Sequence, residues 1–109
     1  MKSREELLNV GMRTQELTLP DSGTVITVRQ LPLTRAIELE RMTEHTARAV
    51  FAAVHGIVGE DRKPLFTPDD SAIVGESFRP SDLIAVHNAV TELTAIILKK
   101  REVEADAKN

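Results

Sequence analysis

Leu17 and Leu19 alternate with Glu16 and Thr18, and a little further on Val25, Thr27 and Arg29 alternate with Ile26 and Val28. A period of two sends successive side chains to opposite faces of an extended chain, so both runs read as strands. Pro20-Asp21-Ser22-Gly23 stands between them. Asp and Ser bend the backbone through their own side-chain hydrogen bonds and Gly takes positive φ, which predicts a β-hairpin.

Beyond Arg29 the period changes. Residues 33–57 read LTRAIELERMTEHTARAVFAAVHGI. At about 100° per residue, Ala36, Leu39, Thr43, Thr46, Val50, Ala53, Val54 and Ile57 fall on one face of a helix. Glu38, Arg41, His45 and Arg48 fall opposite, and the pairs Glu38–Arg41 and Glu44–Arg48 mark a solvated side. One long amphipathic helix is predicted, capped by Thr34 and ended by Gly56 and Gly59.

Gly59 to Lys63 reads as a polar turn. Thr67-Pro68-Asp69-Asp70 then opens a short middle helix: Thr at the N-cap, Pro in the first turn, acids near the positive end of the dipole. That helix is expected to reach about Gly75, and Ser77-Phe78-Arg79-Pro80 breaks the chain again. Phe66 and Phe78 bracket the segment and are predicted to clasp it onto the longer helices.

The last helix is predicted over 81–104. Leu83, Val86, Val90, Leu93 and Ile97 form a heptad-like stripe, and a second stripe, Ile84, His87, Thr91, Ala95 and Leu98, runs beside it. Asp82, Asn88, Glu92 and Lys99 leave only a narrow polar face. An apolar arc that wide is usually covered on two sides, and the chain has little material to cover both. The second stripe is therefore the candidate partner-binding surface. The competing reading, and the commoner fate of such a stripe, is burial against the hairpin or in a homo-oligomer.

The expected fold is mainly α with a small N-terminal β-hairpin: two long amphipathic helices joined by a turn and a short middle helix. Residues 1–14 read as a frayed helical turn or a flexible segment, 15–98 as a single domain, and 99–109 as a charged tail.

Composition narrows the function. The 109 residues include no Trp, Tyr or Cys and three Phe, so the core is aliphatic. Without Cys there is no disulfide, thiolate nucleophile or zinc–thiolate site. Fourteen basic and 17 acidic residues are interspersed, with a net charge of −3, and no basic block suits a nucleic acid. No run approaches ~18 apolar residues, so no membrane span is expected, and the N-terminus lacks the pattern of a signal peptide.

Candidate chemistry is sparse. His45, His55 and His87 stand at no metal-binding spacing, and phosphate-binding loops, GxSxG and EF-hand patterns are missing. Asp21-Ser22 reads as a turn, Glu60-Asp61 as a turn and Asp69-Asp70 as a cap. No catalysis, cofactor or metal is expected, which leaves binding to another protein.

Two stretches carry a resemblance. "VRQLPLTRAIELERM", Val28 to Met42, joins the end of the hairpin to a charged amphipathic helix. "EDRKPLFTPDDSAIVGESFRPSDLIAVHNAVTEL", Glu60 to Leu93, joins a polar turn, a Thr-x-x-Asp helix start, a short helix and a long one. Together, over about residues 15–98, the chain resembles the tail assembly chaperones of long-tailed (siphovirus-type) bacteriophages. The resemblance implies a helical, host-cytoplasmic protein absent from the mature virion. It implies binding and solubilising of the tape measure protein and help in recruiting the tail tube protein. It also implies that a programmed frameshift can append a further domain, for which Lys99-Lys100 is a weak marker. Two other readings remain open: a minor structural protein of the tail or connector, and a small dimeric antitoxin-like regulator.

Overall fold

The computed structural model describes residues 3–8 and 11–107, with side chains through Thr94. In chain order the elements are helix α1 (Arg4–Leu8), strands β1 (Thr14–Thr18) and β2 (Val25–Arg29), and helices α2 (Leu33–Arg41) and α3 (His45–Gly56). Strand β3 (Ile57–Val58), a 3-10 turn (Pro68–Asp70) and helices α4 (Ser71–Ser77) and α5 (Pro80–Ala107) follow.

The hairpin forms as the alternation predicts. β1 and β2 pair antiparallel with Leu17 opposite Ile26, and the loop closes through Gly23 N–H to the Leu19 carbonyl at 2.9 Å. Gly23 takes φ +75°, a conformation that costs a residue with a Cβ. The sheet has a third strand that the sequence reading missed: β3 pairs antiparallel with β2, placing Ile57 opposite Val28. The helical period places Ile57 in the preceding helix, because a two-residue strand is too short to show a period of two. Both Ile57 and Val28 are completely buried there.

The predicted long helix is two helices. α2 stops at Arg41, and α3 restarts behind Glu44, whose carboxylate accepts hydrogen bonds from the Thr46 and Ala47 amides at 3.1 and 2.6 Å. This satisfies amide donors that the helix start otherwise leaves open. Those amide bonds hold the Glu44 carboxyl below its ordinary pKa. Arg48, expected on a solvated face as the partner of Glu44, instead turns its guanidinium to the Leu39 and Met42 carbonyls at the end of α2. Thr43 and Thr46 are exposed rather than core-facing, and Thr34 lies inside a helix that begins behind Pro32. The bend lets Ala36 and Leu39 of α2 and Ala49, Ala52 and Ala53 of α3 enter one core.

α3 and α5 form the main helical contact. The first stripe of α5 packs inward as predicted, with Leu83, Val86 and Val90 buried and Leu93 partly so. Gly56 permits the close approach: a Cβ there would lie 2.5 Å from Val90 Cγ2. α5 reaches Ala107, beyond the predicted end.

The middle segment follows its sequence signal. The Thr67 amide donates to Asp70 Oδ2 at 2.8 Å, and the following helix runs to Ser77, two residues past the expected end. Phe66 and Phe78 meet edge to face with centroids 6.2 Å apart, and both pack against the core.

Candidate functional site

The second stripe of α5 does not form one uniform surface. Ile84 is 56% exposed, while His87 and Thr91 are half-buried. The side chains of Ala95 and Leu98 lie outside the described residues. His87 Nδ1 is 3.2 Å from Asn88 Oδ1, and its Nε2 is buried without a hydrogen-bond partner. The Thr91 hydroxyl donates to the Asn88 carbonyl within the helix. Asp82, assigned by sequence to the polar face, is only 2% exposed. Its carboxylate accepts from the Asp21 and Ser22 amides at 2.7 and 3.2 Å, fastening the start of α5 to the hairpin turn. Arg79 adds an ion pair to Asp21 at 3.0 Å.

Two concavities flank the start of α3. The smaller, about 270 Å³, lies between α3, α4 and α5 and is lined by Ala49, Phe78, Leu83 and Ile84 among others. This is where the exposed member of the predicted stripe sits. The larger, about 570 Å³, opens between α2, α3 and α4. Met42, Val50, Phe51 and Val54 make its apolar part, and Arg35, Glu38, Glu44 and His55 its polar one. Thr46 lines both, so the two concavities adjoin.

The polar groups of the larger groove are engaged with protein partners. Arg35 pairs with Glu38 and Glu44 holds the α3 amides. His55 packs against Phe51 with the rings tilted and their centroids 4.4 Å apart. Burial, followed by the Arg35 charge, lowers the His55 pKa. The His55 carbonyl accepts from Arg29 Nε at 2.8 Å, tying α3 to β2.

Sequence reasoning missed this groove because it assumed a straight helix across Met42-Thr43-Glu44. The available signal was Glu44 itself, placed to cap the amides that follow it. Among the described residues no three His, Asp or Glu side chains are grouped to hold a metal, and no helix is long and apolar enough to cross a membrane.

No family model matches the sequence, and no curated protein matches it. A solved structure, that of the bacteriophage HK97 tail assembly chaperone, is similar with a TM-score of 0.54 and 15% identity. The similarity covers 72% of this chain and 83% of the other. At that identity the likeness is one of fold alone: this chain has a fold similar to that of a phage tail assembly chaperone.

Proposed function

We propose that this chain is a tail assembly chaperone of a long-tailed phage. It binds the tape measure protein, keeps that protein's apolar surface from aggregating and promotes assembly of the tail tube around it. It acts in the host cytoplasm, without catalysis, and does not enter the mature virion. The observation that carries this reading is the fold shared with the HK97 chaperone over 72% of the chain. The adjoining apolar concavities support it, because a chaperone needs surface for a client's apolar side chains rather than reacting groups. Ile84, His87, Thr91, Ala95 and Leu98 remain the proposed contact stripe.

The test is genetic. A phage carrying a stop codon in this gene, grown in a non-suppressing host, should yield filled heads without tails, and the chain supplied in trans should restore plaques. Purified wild-type particles should lack the chain by mass spectrometry. Normal tails in its absence would overturn the reading, and its presence in particles would make it a minor tail protein.

A further inference from the structure

The larger groove has a selective chemistry of its own. Its walls are helices, which offer no free sheet edge, so an extended peptide laid there would leave its backbone groups unpaired. Arg35 pairs with Glu38 and Glu44 caps the α3 amides, which leaves little hydrogen-bonding capacity to orient a small polar ligand although the carboxylates keep their charge. The ligand that suits an apolar floor with engaged polar rims has its backbone hydrogen bonds closed internally, as a helix does. Charge narrows it further. The lining holds the carboxylates of Glu38 and Glu44 against the single guanidinium of Arg35.

We propose that the α2–α3–α4 groove is a receptor for an amphipathic helix with Leu-like residues at i, i+3, i+4 and i+7 and Lys or Arg on its flanks. This rests on the chaperone reading for the identity of the client, but not for the groove's preference. Thr46 lines both this groove and the cleft holding Ile84.

The probe is a fluorescein-labelled amphipathic peptide of about five turns built on that Leu spacing. One version carries Lys on its polar face, and a second carries Glu instead. Anisotropy at low salt should show the Lys peptide binding about fivefold tighter or more. Glu38→Gln removes one of the two carboxylates and should shrink that preference. Ala72→Trp, at an exposed position on the α4 wall, should weaken the Lys peptide about tenfold while the melting temperature holds. If Ala72→Trp unfolds the chain, Thr46→Trp, also exposed, repeats the test. Equal binding of the two peptides, or undiminished binding by a folded blocked variant, overturns the proposal.

The same variants separate this claim from the chaperone claim. If wild type and Ala72→Trp solubilise the tape measure protein equally, the groove proposal falls and the chaperone reading stands. If the Lys peptide binds and Ala72→Trp blocks it, but the tape measure protein is not solubilised, the groove stands and the chaperone reading falls.

Discussion

Asp82 illustrates how one carboxylate can organise a junction. Burial opposes its ionisation, but hydrogen bonds from Asp21 and Ser22 and the charge of Arg79 favour it, and the carboxyl is held below its ordinary pKa. The unfolded chain therefore binds this proton more tightly. The resulting stability is full above about pH 4 and is lost as pH falls through the folded value. His55 acts in a higher window with the same sign. Its lowered pKa gives stability that is full above about pH 6.5 and erodes below it as the unfolded ring protonates first. Asp82→Asn should lower the melting temperature at pH 7 and flatten the acid limb below about pH 4 while keeping the His55 slope. Thermal melts from pH 3 to 8 would check this, and an unchanged acid limb would count against the clasp. In the sequence Asp82 looked like an ordinary polar-face residue, because its partners are the backbone amides of a turn some sixty positions away.

Gly56 is the second single-residue determinant. A methyl at this position meets Val90, itself fully buried, so Gly56→Ala should cost about 1–3 kcal/mol by overpacking. Adding Val90→Ala opens space for that methyl. The double variant should then be more stable than the sum of the two single losses predicts, as measured by urea denaturation. Strict additivity would contradict the contact. The sequence marked Gly56 as a helix stop, and the helix does end there, but the close approach to α5 depends on tertiary packing.

Among the elements, α2 and α3 show where a period stops being informative. Between Leu39 and Val50 the predicted face is carried by Thr43 and Thr46, which suit a core edge and a solvated surface alike, so the pattern fits a straight helix and a bent pair equally well. Capping decides between them. Glu44 closes the start of α3 and Arg48 reaches the carbonyls ending α2. Arg48→Ala leaves those carbonyls without their charged donor and should cost about 1–2 kcal/mol in chemical denaturation. A loss no larger than that of a solvated arginine would contradict this role. The middle segment was far more legible, since Thr67, Pro68 and Asp70 each carry a local start signal. Its Phe clasp is also testable. Phe66 is half-buried, so Phe66→Ala should cost about 2–3 kcal/mol, below the range for a fully buried ring. β3 was illegible for the opposite reason: two residues hold no period, and the sheet that receives them is built by residues thirty positions earlier.

At the scale of the molecule, α5 is about 42 Å long and nearly matches the longest dimension of 44 Å. Its buried stripe closes the core against α3, and its flank contributes Ile84 to the smaller cleft. The sequence located that stripe but not the groove beside it, because the groove is a product of the α2–α3 bend. The likeness of fold was legible as an order of elements resembling a known family. In the proposed function this surface holds a tape measure protein in solution. The most direct measurement is co-expression with the tape measure protein of the same phage, followed by affinity purification and size-exclusion light scattering. The expected result is a soluble complex in which several copies of this chain co-elute with one tape measure chain. A tape measure protein that stays insoluble while this chain elutes alone would contradict it.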